Sequence, residues 1–488
     1  MKGSMKMGVI SQYADQVIAS GAYEPLDRNY VMNKIRGLVG DEDVAVSDGR
    51  LVDQLVELAI AHGAIEDSVT DRSILNDQLF DLMTPSPARV NARFWEDYHR
   101  SPQEATDHFY QLCTENDYVK VAAIKKNIEF VKKVQDGNEL EITINLSKPE
   151  KDPKAIQAAA HDTAVKYPQC ALCMENEGYK GRLGYASRSN HRIIRLTVGG
   201  REWGFQYSPY AYFNEHCIFL LAQHEPMEIN QQTLVNLVEI EQTFPHYFVG
   251  SNADLPIVGG SMLAHEHYQG GRHTFPMMKA PIKQELSFLD YPMVTAGIVD
   301  WPMSDLRLTS SDTTALVNLG SHIMRTWQSY SDPSLQINAG TADDRHHTVT
   351  PIMHRDGDRF ILDLVLRDNN TTDQYPLGIF HPHEKLWHIK KENIGLIEVM
   401  GRAILPARLK DELAEVKKYW LQDPNEIAEN HLPWAQEVQA RQTITADNVE
   451  AVLEQEVAQV FSDVLADAGV FKRNADGEAG WQRFIQQL

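Results

Sequence analysis

Short segments in which apolar and polar residues alternate constrain the fold of this chain most strongly. One of them runs through Ile194, Leu196 and Val198, turns at Gly199-Gly200, and returns through residues 203–207. Alternation with a period of two is typical of a strand with one buried face. Consecutive glycines tolerate the positive φ angles of a tight hairpin turn. The segment therefore predicts an antiparallel hairpin.

Similar strands recur along the chain and are separated by helices. Residues 140–146 alternate after an Asp-Gly-Asn turn, and residues 360–366 form an apolar run after an Asp-Gly-Asp turn. Helical spacing of apolar residues predicts helices over residues 51–59, around 234–240 and around 316–327. Ser310 or Ser311 is expected to cap the last of these. Antiparallel strands with packed helices indicate an α+β fold.

The order of these patterns predicts three regions. Residues 1–125 are helical, and they are expected to form a support or an interaction surface. Residues 126–300 carry strands, helices and the densest chemistry, and we interpret them as a catalytic half. Residues 301–488 form a second α+β half that ends in helices. The order helical, mixed, mixed, helical suits two similar α+β halves.

Composition excludes several classes of partner. The chain has 488 residues and a formal net charge of −22, so its surface should repel polyanions, and no nucleic-acid partner is expected. No apolar stretch approaches the roughly 20 residues of a membrane span, and the N-terminus lacks a signal-peptide core. We therefore expect a cytoplasmic protein without a membrane partner. A local run of arginines between Arg182 and Arg195 could still gather around a small anion.

The densest chemistry lies in residues 258–271. Strand alternation is expected to place His265, His267 and Gln269 on one face. Three polar side chains on one face are costly in a plain core but suit a ligand site. The flanking Gly259-Gly260 and Gly270-Gly271 would let backbone amides approach phosphate oxygens. A neutral imidazole is a good nucleophile near pH 7. The same residues would also suit a metal site, or two histidines with satisfied hydrogen bonds.

Two further motifs leave alternatives open. Cys170 and Cys173 form a Cys-x-x-Cys pair, which suggests half of a metal site or two buried thiols. With only four cysteines, a disulfide scaffold is excluded. His381-Pro382-His383 repeats the His-x-His pattern but lacks the preceding glycines and the following glutamine. We interpret it as structural or substrate-supporting. The chain contains no phosphate-loop, dinucleotide-turn or His-Glu-x-x-His pattern.

Several segments together resemble the galactose-1-phosphate uridylyltransferase family, in its longer bacterial type, within the histidine-triad superfamily. These are Cys170-Ala171-Leu172-Cys173, then Asn214-Glu215-His216-Cys217-Ile218 running to His224, then residues 250–261, and His265-Glu266-His267-Tyr268-Gln269-Gly270-Gly271. The resemblance implies histidine-triad-like antiparallel sheets with packed helices. In the shorter branch of the family the active motif reads His-Pro-His-Gly-Gln, whereas this chain has Glu266 and Tyr268 at the variable positions.

The resemblance also implies roles for individual residues. His267 matches the nucleophile, and Gln269 matches the amide that holds the uridylyl phosphate. Asn252 resembles an asparagine near that phosphate, and Ser261 resembles a serine before the motif, although its spacing is one residue longer than in the shorter branch. With Gly259 and Gly260 they complete the expected substrate contacts.

A zinc site follows from the same resemblance, with Cys170, Cys173, His224 and His265 as its ligands. Four such ligands make a closed tetrahedral set, which would be structural. No organic cofactor is expected. The family also implies a homodimer.

The expected reaction is transfer of UMP from UDP-glucose to galactose 1-phosphate, which gives UDP-galactose and glucose 1-phosphate. It would run as a ping-pong reaction through a uridylyl-histidine. The alternatives are a histidine-triad nucleotidyl hydrolase or phosphorylase, which Gln269 in place of a third histidine disfavours, and a zinc-stabilised binding protein without activity.

Overall fold

The fold is taken from a computed structural model that describes residues 7–147, 167–260, 262–341 and 344–488. Within these ranges, no helix has both the length and the apolar character that crossing a membrane requires.

The strands form a ten-stranded sheet at the centre of the molecule and a smaller three-stranded sheet. They are β1 Ile128–Lys133, β2 Glu139–Ile144, β3 Ile194–Val198, β4 Arg201–Tyr207, β5 Cys217–Leu221, β6 Phe248–Gly250, β7 His267–Gly271, β8 Ile282–Leu286, β9 Thr295–Val299, β10 Asp305–Ser310, β11 His347–Asp356, β12 Arg359–Asp368 and β13 Arg402–Leu405. The strand order is β3-β4-β5-β7-β6-β11-β12-β10-β9-β8 in the large sheet and β1-β2-β13 in the smaller one. All neighbours in the large sheet are antiparallel.

The helices lie before, between and after the strands. They are α1 Val9–Ala19, α2 Arg28–Val39, α3 Leu51–Ala61, α4 Val69–Leu82, α5 Pro87–Tyr98, α6 Pro102–Glu115, α7 Val121–Ile124, α8 Gln231–Thr243, α9 Pro276–Lys279, α10 Thr313–Ser329, α11 Leu396–Val399, α12 Leu409–Trp420, α13 Leu432–Arg441, α14 Val449–Ala468 and α15 Ala475–Ile485. In the smaller sheet β1 and β2 are antiparallel, whereas β13 pairs parallel with β2. Together with these mainly antiparallel sheets, the helices confirm the predicted α+β class.

The large sheet consists of two topologically equivalent halves. The first is the meander β3-β4-β5, followed by α8, β6 and β7, and the second is the meander β8-β9-β10, followed by α10, β11 and β12. In each half the last strand inserts between the meander and the strand after the helix. The halves join edge to edge where β6 pairs with β11, at Gly250 opposite Ile352 and Val249 opposite Met353. The prediction of two similar halves is thereby confirmed.

The predicted local elements are present, with one correction. Gly199 and Gly200 turn between β3 and β4 with φ angles of 57° and 72°, as the hairpin prediction requires. The prediction that Ser310 or Ser311 caps α10 was wrong. Asp312 is the capping residue, and its carboxylate accepts the backbone N–H of Ala315 at 3.0 Å. A carboxylate at this position also interacts favourably with the positive end of the helix dipole.

The N-terminal helices divide between two hydrophobic cores. Helices α1 to α4 bury their apolar faces against one another, with residues such as Val9, Leu55 and Leu79 at the centre. Phe94 of α5 and Phe109 of α6 instead belong to the core under the large sheet. The proposed region boundaries at 125/126 and 300/301 stay predictions.

Different helices pack against the two faces of the large sheet. Helices α8 and α10 pack on one face, where Leu234 and Leu316 join the main core. The other face meets a second core, in which Ile352 and Val365 of the sheet pack with α11, α12 and α14. The site described next lies on this second face.

Candidate active site

Strand β7 carries the central histidine motif, between β5 and β6. His267 lies opposite Leu220 of β5, and Gln269 lies opposite both Ile218 and Gly250. The hydroxyl of the intervening Tyr268 accepts a hydrogen bond from Asn236 of α8 at 3.0 Å, so it lies on the helix-covered face. Because side chains alternate across a strand, His267 and Gln269 lie on the opposite face.

His265 does not share this strand geometry. The strand begins at His267, and His265 lies in the bend before it. The prediction that strand alternation aligns all three side chains was therefore wrong for His265. Its Nε2 donates to the carbonyl oxygen of Leu221 at 2.8 Å, and its Nδ1 lies 3.2 Å from Cys170 Sγ.

The ring of His267 is held in one tautomer. Its Nδ1 lies 2.7 Å from the carbonyl oxygen of His265, which can only accept, so Nδ1 carries the proton. The lone pair of the ring is then on Nε2. The side chain is buried, and burial lowers the pKa of His267 to about 4 against the raising effect of the His265 carbonyl. The imidazole is thus neutral near pH 7 and carries the free lone pair that a nucleophile needs.

The side chain of Gln269 is also held by a hydrogen bond within the protein. Its side-chain oxygen lies 3.0 Å from Nε2 of His216, a buried residue immediately before β5. The carboxamide NH2 group remains as the donor that this side chain can offer to a ligand.

Asn252 repeats this arrangement on the neighbouring segment. Its side-chain oxygen accepts the backbone N–H of Leu396 at 2.9 Å, which again leaves the NH2 group as the donor. Gly260 is packed against it so closely that an added Cβ would lie 2.6 Å from Asn252 Nδ2. At Gly259 an added Cβ would lie 2.4 Å from the carbonyl oxygen of Ala253. Backbone atoms therefore leave no room for a side chain at Gly259, whereas a side chain at Gly260 would displace the Asn252 amide. Ser261 lies outside the described residues.

A cavity of about 610 Å³ brings these groups together. The predicted residues Asn252, Gly259, Gly260 and Gln269 line it. His267 is not among the residues that line the cavity; it is buried two residues before Gln269, on the same face of β7. The size suits a nucleotide-sugar or a drug-sized molecule.

The other wall of the cavity was not predicted from the sequence. It comes from the segment around α11 and includes Lys390, Asn393 and Glu398. The Lys390 ammonium group pairs with the Glu398 carboxylate at 2.6 Å. This segment lies more than a hundred residues from Gln269, and its sequence has no glycine-flanked histidine motif that would have marked it.

The four residues predicted as metal ligands form one cluster. The ligand atoms of Cys170, Cys173, His224 and His265 all lie within 4.8 Å of one another. Cys170 Sγ is 3.5 Å from Cys173 Sγ, and Cys173 Sγ is 3.2 Å from His224 Nδ1. Separations of this size fit ligands around one tetrahedral ion with metal–sulfur and metal–nitrogen bonds of about 2.0–2.3 Å. The Leu221 carbonyl holds the His265 tautomer that leaves Nδ1 free for a metal.

The second His-x-His motif and the arginine run, both noted in the sequence, make contacts within the protein. His381 Nε2 lies 3.2 Å from the side-chain oxygen of Asn393, and His383 Nε2 donates to the carbonyl of Ile379 at 3.0 Å. In the arginine run, Arg192 pairs with Asp81 at 2.7 Å and Arg195 with Glu177 at 2.6 Å. These two arginines contact protein groups and do not line the cavity around Gln269.

Comparison with known proteins gives consistent matches along the whole chain. Residues 21–226 match the family described as galactose-1-phosphate uridyl transferase, N-terminal domain, and residues 239–436 match its C-terminal domain. The galactose-1-phosphate uridylyltransferase of Lactobacillus helveticus is 65% identical over 483 residues, which cover 99% of each chain. The enzyme of the same name from Lactiplantibacillus plantarum is 60% identical over 487 residues, or 99% of this chain and 100% of that protein.

Among solved structures, the crystal structure of yeast Ap4A phosphorylase matches with 10% identity and a TM-score of 0.30. The match covers 54% of this chain and 83% of that one.

Proposed function

Because this chain belongs to the galactose-1-phosphate uridyl transferase family, we propose that it transfers UMP from UDP-glucose to galactose 1-phosphate through a covalent intermediate on His267. Membership of the family makes the chain a nucleotidyltransferase. The observation that carries the mechanism is the hydrogen bond from His267 Nδ1 to the His265 carbonyl, which leaves the Nε2 lone pair free.

The reaction proceeds in two displacements at the same phosphorus atom. In the first, His267 Nε2 attacks the α-phosphorus of UDP-glucose, a P–N bond forms, and glucose 1-phosphate leaves with the bridging oxygen. In the second, a phosphate oxygen of galactose 1-phosphate attacks the same phosphorus, the P–N bond breaks, and UDP-galactose leaves. Each leaving group is already a stable anion or a neutral imidazole, so no strong general acid is needed. Ping-pong kinetics follow because one sugar phosphate leaves before the next binds.

In this proposal, two carboxamide groups stabilise the transferred phosphoryl group. Gln269 and Asn252 line one cavity, and each has its oxygen engaged by a protein donor, at His216 and Leu396. Both therefore offer NH2 groups, which suit the charge that develops on phosphoryl oxygens. A carboxamide does not act as a base toward water, so a nucleotidyl hydrolase is not favoured. No observation favours a phosphorylase or a binding protein without activity.

The cysteine and histidine cluster is proposed to hold zinc. Cys170, Cys173, His224 and His265 supply two sulfur and two nitrogen ligands, which is a closed set for a structural zinc ion. Zinc would supply a fixed geometry and no chemical step. His265 would contribute its side chain to the metal, while its backbone carbonyl holds His267. The strand that carries the nucleophile would thus be fixed at its start.

The homodimer and the cytoplasmic location are proposed together with this function. In support of a dimer, β1 is an edge strand whose Val131 side chain is 57% exposed, although it is apolar. All four cysteines are free thiols, as a reducing compartment would keep them. Light scattering of the purified protein between nanomolar and micromolar concentrations tests the dimer, and a monomer throughout would exclude it.

The covalent step is tested by incubating the enzyme with UDP-glucose labelled in its uracil ring, without a sugar phosphate acceptor. We expect acid-labile label on His267 in the wild-type chain, and its release as UDP-galactose when galactose 1-phosphate is added. His267→Asn should take up no label. His322→Asn is the matched control, since that histidine contacts the C-terminal Leu488 and lies on α10. Label on the His267→Asn enzyme, or sustained transfer by it, would exclude the mechanism.

A further inference from the structure

His216 is a buried histidine that the mechanism above does not use. It lies directly before β5, and its Nε2 is 3.0 Å from the side-chain oxygen of Gln269. We propose that His216 is a positioning residue, which fixes the Gln269 carboxamide so that its NH2 group faces the transferred phosphoryl group. The proposal rests on the function proposed for His267.

The unused ring nitrogen of His216 decides the direction of this hydrogen bond. Within the described part of the chain, His216 Nδ1 has no hydrogen-bond partner and is buried. A proton on Nδ1 would be an orphaned buried N–H donor, which proteins rarely contain. The proton is therefore on Nε2, and His216 donates to the Gln269 oxygen. Burial also lowers the pKa of His216 to about 4, so the ring is neutral near pH 7.

The ring of His216 is held in place by aromatic neighbours. It stacks on Tyr212 at a centroid distance of 5.5 Å, and the Phe213 ring centroid lies 4.6 Å away. Tyr212 also lines the cavity. The donor is thus fixed by packing before any substrate arrives, which is the preorganisation that transition-state stabilisation requires.

Gln269 needs such a partner because its amide can adopt two orientations. Rotation about the last side-chain bond of glutamine is roughly two-fold, so the oxygen and the NH2 group can exchange places. In the exchanged orientation the amide oxygen would face phosphoryl oxygens and repel them. The Nε2–H group of His216 can donate a hydrogen bond but cannot accept one from the Gln269 NH2 group. It therefore excludes the exchanged orientation. His216→Phe keeps an aromatic ring for Tyr212 and Phe213 but removes the N–H donor.

The test is a double-mutant cycle that measures the single-turnover rate of uridylyl-enzyme formation. Complete loss of one such phosphoryl donor slows a reaction by about 10²–10³-fold. His216→Phe leaves the Gln269 NH2 group in place but only partly oriented, so it should slow the step by about 10–100-fold. In a Gln269→Ala background the same change should alter the rate less than about two-fold, because there is no carboxamide left to orient. His216→Gln, which restores an N–H donor, should recover part of the rate.

The controls separate positioning from folding. His246→Phe is the matched variant: that histidine contacts Thr106 Oγ1 at 2.8 Å and does not line the cavity around Gln269, so its rate should stay at the wild-type value. Equal losses in both backgrounds, or a wild-type rate in a folded His216→Phe enzyme, would overturn the proposal for His216 alone. If His216→Phe does not fold, His216→Ala, which also removes the N–H donor, decides it in the same two backgrounds. Failure of the wild-type chain to label His267 would instead overturn the proposed function.

Discussion

Replacing Gly260 with alanine should disable the site through Asn252. The added Cβ would lie 2.6 Å from Asn252 Nδ2 and 2.9 Å from its Cγ, distances that real Cβ atoms do not show. The backbone at Gly260 does not need a positive φ angle, so alanine itself is not strained there. Asn252 must therefore move, and its hydrogen bond to the Leu396 N–H is lost.

The size of the effect follows from what this movement breaks. An unpaired buried N–H at Leu396 should lower the free energy of unfolding by about 1–3 kcal/mol. Displacement of the Asn252 NH2 group, which is proposed to contact the phosphoryl group, should lower kcat by about 10²-fold, as for the loss of one oxyanion donor. Both effects act through the Asn252 side chain, so they should not add to the effects of substituting Asn252 itself.

A coupled spectrophotometric assay of kcat and urea unfolding measure the two effects. The decisive comparison adds Asn252→Ala, which removes the group that the new Cβ would meet. The double variant should then have the kcat of Asn252→Ala alone. A further loss equal to that of Gly260→Ala would refute the steric reasoning. The control is Gly37→Ala within α2, where an added Cβ meets nothing within 4 Å. This control should raise stability by up to ~1 kcal/mol through helix propensity.

Three other changes test separate parts of the structure. Cys173→Ser should abolish binding of the proposed zinc ion and lower the melting temperature, and elemental analysis with thermal unfolding checks this; a zinc content equal to that of a zinc-bound wild type would contradict it. Tyr268→Phe should lower the free energy of unfolding by ~1–3 kcal/mol, since it leaves Glu266 and Asn236 without their buried partner, and urea unfolding measures the change. Desolvation raises the pKa of buried Asp97, but hydrogen bonds from Arg93, His108 and Arg100 hold it below the usual value of about 3.9. The Asp97 carboxylate should therefore stabilise the fold above pH ~4 and lose this contribution at lower pH. The stability difference between wild type and Asp97→Asn should therefore shrink as pH falls from 5 to 2.5, and a constant difference would contradict the assignment.

The sequence predicted those parts of the fold and site that depend on local pattern. The β3–β4 hairpin and the common face of His267 and Gln269 follow from alternation and glycine turns over a few residues. The resemblance to a family identified Cys170, Cys173, His224 and His265 as candidate metal ligands, and the fold brings these four residues together. The prediction started β7 at His265, two residues too early. The His265 side chain instead donates a hydrogen bond to the carbonyl of Leu221, and the strand begins at His267.

The remaining parts depend on contacts between distant segments. His216 was part of a recognised motif, but its contact with Gln269 spans 53 residues and exists only because β5 and β7 are neighbours. Lys390 and Asn393 reach the cavity through the packing of α11 against the sheet, which no periodicity in the sequence specifies. Asp312 was passed over as a cap in favour of two adjacent serines, a choice that hydrogen-bond geometry alone decides.

The doubled topology of the sheet bears on the stoichiometry of the enzyme. Strand β12 occupies in the second half the place of β7 in the first, yet Arg359–Asp368 contains no histidine. One half of the repeat carries His267, the nucleophile proposed above, while the other carries a buried ion pair between Asp363 and Arg307. Titration with labelled UDP-glucose should therefore saturate at one nucleotide per polypeptide, and a dimer should bind two.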